Sequence, residues 1–188
     1  MNSFLLTPVI ISSEMTDSVI IGSTYLDKVE TRARSLYGHV HPDYDKRTLV
    51  HDIAVLQIDK QTSYNSSFPV RLRTNFSDYE NPCYAMGWGW TKPQPPSSNI
   101  FKIAVVQPVK PKKCEEEWKR AYYPHLICTN STGDAVCRGD SGGPLICDNK
   151  LTGVVSFGKR CATGKPDAYT AISFYNDWID SIISQSNQ

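Results

Sequence analysis

The sequence has no cysteine before Cys83, no Cys-x-x-Cys pair and no histidine cluster beside the six cysteines it does have. A zinc site of the usual spacing is therefore excluded, and neither a metal nor any other cofactor is expected. Charge of one sign is also scarce, with a formal net charge of +1. A nucleic-acid binder gathers a basic excess into a patch. The one basic run here, Lys110, Lys112 and Lys113, is followed at once by Glu115, Glu116 and Glu117, so no nucleic-acid partner is expected. No apolar run is long enough to span a bilayer, and no membrane partner is expected. Residues 4–11 are the nearest approach, but Thr7 and Pro8 interrupt them and no Lys or Arg precedes them. A secretory leader wants a positive start and an unbroken apolar stretch, so this segment reads as part of the folded domain.

What is present suits a globular domain. The chain has 188 residues, 40% hydrophobic and 21% charged, which fits a single domain with a core. Cys83, Cys114, Cys128, Cys137, Cys147 and Cys161 are even in number. They read as three disulfides and an oxidising, extracellular setting, although spacing alone leaves fifteen pairings open. Sequons at Asn65, Asn75 and Asn130 agree with secretion.

The pattern is mostly β. Short apolar runs at 18–21, 52–58, 83–88, 100–106, 143–146, 153–157 and 168–172 alternate with turn residues, the spacing of an all-β sandwich or barrel. Pro93, Pro95 and Pro96 make residues 92–99 an exposed loop. Residues 114–122 have helical character. Phe174, Trp178, Ile179 and Ile182 fall at helical intervals and predict an amphipathic C-terminal helix packed on the barrel.

The sharpest signal is Cys137-Arg138-Gly139-Asp140-Ser141-Gly142-Gly143-Pro144-Leu145. A serine hydroxyl is a poor nucleophile until a base takes its proton. The flanking glycines let the backbone turn tightly and let a carbonyl approach. The N–H groups of Gly139 and Ser141 could then converge as an oxyanion hole. This segment resembles the nucleophile motif of the chymotrypsin/trypsin family of serine proteases. Asp52-Ile53-Ala54-Val55-Leu56 resembles that family's buried-aspartate strand, and Gly87-Trp88-Gly89 its Gly-Trp-Gly turn. Ser156-Phe157-Gly158 resembles the edge that pairs with substrate backbone, and the stretch from Lys165 to Thr170 the strand behind the specificity pocket.

The resemblance implies an all-β, chymotrypsin-like double barrel with a C-terminal α-helix. The first barrel would be incomplete, because residues 1–188 form one such domain without the family's N-terminal strands. It implies a serine endopeptidase acting through an acyl-enzyme on Ser141, with protein or peptide substrates and inhibitors as partners. The implied bridges are Cys83–Cys147, Cys114–Cys128 and Cys137–Cys161. Substrate contacts would fall on Ser156, Phe157 and Gly158, with Ala135 at the pocket base. Asp167 stands where glycine is usual, and an acid there would attract Arg or Lys.

One part of the pattern is missing. The family's Thr-Ala-Ala-His-Cys motif matches best at Thr7-Pro8-Val9-Ile10-Ile11, which sets Ile10 where the histidine base should stand. Isoleucine cannot accept a proton. His39, His41, His51 and His125 each read as surface histidines, His51 pointing away from Asp52 as its strand neighbour. The new N-terminal ammonium that pairs with the aspartate before the serine, here Asp140, has no Ile-Val-Gly-Gly source in this sequence. Removing the histidine from a triad protease costs roughly a millionfold in kcat, on the order of 8 kcal/mol. The chain therefore reads as an endopeptidase by family with impaired activity, or as a non-catalytic homologue that binds partners or acts as a decoy.

Overall fold

Eleven strands and two helices are laid out in a computed structural model that describes residues 3–7, 18–28, 31–59, 70–75, 81–91, 97–119, 124–130, 133, 135–159 and 161–185. Four strands, β1 (Ser3–Thr7), β2 (Ser18–Ile21), β3 (Thr31–Val40) and β4 (Ala54–Ile58), form an antiparallel sheet in the order β1-β4-β3-β2. β3 is bent, with a register shift between Ser35 and Tyr37. Its first half pairs with β2 (Val19 opposite Ala33) and its second half with β4 (Val40 opposite Ala54). A bulge of this kind adds the local twist that curls a sheet toward a barrel.

The second sheet runs β7 (Lys102–Val106), β6 (Cys83–Gly87), β9 (Pro144–Cys147), β10 (Lys150–Phe157), β11 (Asp167–Ala171) and β8 (Leu126–Thr129). The short β5 (Arg71–Leu72) lies parallel to the start of β10. In β6 the alternation is visible residue by residue: Cys83 and Ala85 are buried while Tyr84 is exposed. β10 and β11 carry near-continuous burial, since both faces of this central pair are covered.

Two clusters of buried side chains place the functional residues. One lies within the second sheet and includes Val106, Leu145, Val155 and Tyr169. The other joins the sheets: Ile53 and Val55 from the first meet Leu151 and Val154 of β10 and Tyr175, Ile179 and Ile182 of the C-terminal segment. Each such aliphatic side chain contributes about 1.5–3 kcal/mol by leaving water. This joint fixes the start of β4, and with it Asp52, against β10.

The helices follow their sequence signals, with shifts at the ends. α1 (Pro111–Trp118) begins with proline at its first turn, where no N–H is needed, and ends at Lys119 in the left-handed region (φ 49°). α2 (Asn176–Gln185) buries Ile179 and Ile182. Phe174, expected on the helix's buried stripe, instead sits in a 3-10 turn (Ile172–Phe174) and is exposed. The proline stretch 92–96 and position 10 lie outside the described residues. The structure pairs Cys83 with Cys147, Cys114 with Cys128 and Cys137 with Cys161, the pairs that the resemblance implies.

Candidate active site

Ser141 stands at the apex of a tight loop between the Cys137–Cys161 bridge and β9. Backbone bonds from Asp140 N to Cys137 O (3.0 Å) and from Gly143 N to Asp140 O (2.8 Å) close the loop on itself. Gly142 N to Val155 O (3.0 Å) and Val155 N to Gly143 O (2.9 Å) tie it to β10. Gly139 (φ 97°) and Gly142 (φ 90°) occupy the left-handed region on either side of the serine, where a side chain would be strained. The result is an exposed Ser141 whose N–H, like that of Gly139, has no acceptor among the described residues. Two backbone donors on either side of Asp140, left in this state, are of the kind that can serve an oxyanion.

The carboxylate of Asp140 turns away from solvent. It accepts the N–H groups of Gly89 (2.8 Å) and Cys137 (2.8 Å). A Cβ at Gly87 or Gly89 would collide with that carboxylate, which explains why both residues beside Trp88 lack a side chain. Among the described residues Asp140 is thus held by backbone donors.

Asp52 is 4% exposed and lies just ahead of β4. Ser156 Oγ donates to its Oδ2 at 2.5 Å, and Thr170 Oγ1 donates to its backbone oxygen at 2.7 Å. Its negative charge adds to burial in raising Tyr44 and Tyr175 above the usual phenol range. Ser156 therefore links the two sheets at the site: its hydroxyl holds Asp52, and its residue lines the same cavity as Ser141.

That cavity measures about 560 Å³. Ser141, Ser156, Phe157, Gly158 and Asp167 all line it, as do Trp90, Arg138 and Lys159, which sequence reasoning did not single out. Arg138 lies 5.4 Å over the Trp90 ring, a pairing of residues 48 positions apart that no local pattern discloses. Ala135 does not line this cavity; it lies on an adjoining one of about 250 Å³ together with Asp140.

Asp167 is 2% exposed, and its Oδ2 has no hydrogen-bond partner among the described residues. Burial pushes its carboxyl up to about 7, with the Val136 N–H pulling the other way and the Asp140 charge adding to the rise. The neighbouring Gly158 leaves room for the carboxyl, since a Cβ there would strike Asp167 Oδ1.

The histidines depart from expectation. His125 is 3% exposed, not a surface residue. His51 is not in a strand at all: it has a left-handed backbone (φ 54°), so strand alternation does not govern its direction, and its Nδ1 lies 3.0 Å from Tyr175 Oη. His41 stacks on His51. None of the described histidines is hydrogen-bonded to Ser141.

The family model described as Trypsin matches residues 3–179. Kallikrein-8 of Homo sapiens is 35% identical over 76% of this chain and 58% of its own length. Trypsin 5G1 of Aedes aegypti is 33% identical over 76% of this chain and 56% of its own length. The chain thus spans under two thirds of these curated relatives. Among solved structures, neuropsin, a serine protease expressed in the limbic system of mouse brain, superposes with a TM-score of 0.85 and 30% identity, covering 96% of this chain and 84% of that one. With the Ser141 loop, the Asp52–Ser156 link and the three bridges already in place, these likenesses put the chain in the trypsin-like serine protease family.

Proposed function

We propose that this chain is a secreted serine-endopeptidase homologue that binds polypeptide at the Ser141 cavity and, as written, hydrolyses it very slowly. In this reading Ser141 Oγ attacks the scissile carbonyl carbon, and the Gly139 and Ser141 N–H groups receive the oxyanion. Collapse of the intermediate expels the amine and leaves an acyl-enzyme that water hydrolyses. Two proton movements are needed, off Ser141 and onto the leaving amine, and an imidazole oriented by Asp52 would carry both. The observation that carries the reading is the pairing of an exposed Ser141, flanked by unclaimed N–H donors, with no described histidine bonded to it.

The register of the first sheet supports the rest. Thr7 pairs with Ala54, so the chain leaves β1 at the Asp52 end of β4. In the sequence match this is the point from which the family's histidine is reached, three residues on at Ile10. The second reading, a non-catalytic binder or decoy, draws on the same observation and keeps the same pocket.

The substrate class follows from Asp167. A cation entering the cavity would find a buried acid with a free oxygen, so Arg or Lys is the favoured side chain once Asp167 is ionised. The three disulfides support an oxidising, extracellular setting. The test is hydrolysis of fluorogenic peptides with Arg or Lys before the scissile bond. The wild type is expected near background, and Ile10→His is expected to raise kcat/KM by about 100-fold or more, a gain that Ser141→Ala removes. Rapid turnover by the wild type, or no gain from Ile10→His, would contradict the reading.

A further inference from the structure

Three histidines from three separate parts of the chain meet under the C-terminal segment. His41 follows β3, His51 precedes β4 and His125 precedes β8. The rings of His41 and His51 stack with centroids 4.6 Å apart and planes 15° from parallel, and His125 lies 5.1 Å from His51. The C-terminal segment closes over them. Tyr175 Oη is 3.0 Å from His51 Nδ1, Trp178 is 5.0 Å from His41 and Phe174 is 5.7 Å from His125. The catalytic reading uses none of these contacts.

The arrangement suits neutral imidazoles. His41 Nδ1 accepts the Asp43 N–H at 3.2 Å, so that nitrogen carries no proton here. Positive rings stacked at these distances would repel each other, and His125 is nearly out of reach of water. We propose that the packed rings of His41, His51 and His125 form a clasp that holds the C-terminal helix against the corner between β3 and β4, closed in the stacked arrangement and released when His41 and His125 take up protons.

The titration agrees in sign. Burial and the neighbouring His51 hold His41 below the ordinary imidazole value, with Asp43 opposing. Burial takes His125 down to about 4, with His51 and His41 adding to the fall. A group whose folded value is depressed contributes stability that is complete above its unfolded value, near 6.5 for histidine. That contribution is lost as pH falls toward the folded value. The acids nearby offset this little. Asp43 is exposed; Asp52 bears on Tyr44 and Tyr175; and Asp177 and Asp180 of α2 are exposed. β11 contributes Thr170, which is uncharged and bonded to Asp52 O. The clasp stands whether or not Ser141 is a working nucleophile.

Hydrogen–deuterium exchange on the full chain at pH 7.5 and 5.0, corrected for intrinsic exchange, tests it. Residues 172–185 and 41–53 are expected to lose protection by about tenfold or more at pH 5.0, while β6 and β9 keep theirs. His125→Gln, which removes the most depressed of the titrations, should reduce that loss severalfold; should this variant not fold, His41→Phe, which keeps the stacked ring without its charge, serves the same comparison. Unchanged protection of the wild type between the two pH values overturns the proposal. So does loss spread evenly over both sheets, or an equal loss in the folded variant.

Discussion

The burial of Asp167 on the cavity wall ties any pocket role of this residue to pH. Its carboxyl is raised to about 7 by burial, so the neutral form is favoured in the folded chain. For a raised carboxyl the stabilising contribution is complete below the unfolded value near 4 and is lost as pH rises through about 7. Each pH unit in that window costs about 1.4 kcal/mol. Asp167→Asn is therefore expected to flatten the fall in stability between pH 4 and 7, read by urea unfolding. The same proton competes with a cationic ligand. Binding of p-aminobenzamidine should strengthen about tenfold per pH unit up to about 7 and level off above it; Asp167→Asn should bind weakly at every pH. A pH-independent affinity in the wild type, or one untouched by Asp167→Asn, would count against a pocket role. The position of Asp167 in the site was readable from its flanking residues. The burial of His125 was not, because a single histidine carries no periodicity, and its cover comes from Phe174 and Tyr175, about fifty residues on.

At the scale of elements, the loop carrying Ser141 and the turn around Trp88 constrain each other through Asp140. Gly89→Ala would set a Cβ against the Asp140 carboxylate and break the 2.8 Å bond it accepts from the Gly89 N–H. Overpacking together with a lost charge-assisted bond is expected to cost about 3 kcal/mol, measured by urea unfolding. A near-neutral effect would mean that Asp140 does not anchor this loop. These two segments were legible because close approach forces particular residues, and forced residues leave a string in the sequence. β3 left no such string. Thr31–Val40 is the longest strand among the described residues, yet Arg32 and Arg34, both exposed, flank the buried Ala33, so no apolar run marks it. Such a strand is specified by its partners β2 and β4 and not by its own hydrophobicity.

At the scale of the whole molecule, the second sheet ends at β7 with an apolar outer face. Ile103 and Val105 are each more than half exposed, and Tyr84 is paired across from Val105. Edge strands with such a face favour association. Ile103→Thr with Val105→Thr, which keeps β-branching, is expected to shift sedimentation toward monomer at tens of micromolar while leaving unfolding cooperative. Unchanged association would clear this face. The double-sheet architecture itself was readable from the spacing of short apolar runs and from the motifs at Asp52 and Ser141. The joint between the sheets was not, since it depends on Ile53, Val154 and Ile179 meeting from distant stretches.

Covalent labelling of Ser141 by a fluorophosphonate tests the central claim most directly, because the probe reads the nucleophile without requiring a substrate. An alcohol with no base beside it should react no faster than background, leaving wild type and Ser141→Ala alike. Fast, stoichiometric labelling of the wild type that Ser141→Ala abolishes would show that some group already takes the serine's proton, and would contradict the claim that Ser141 lacks one.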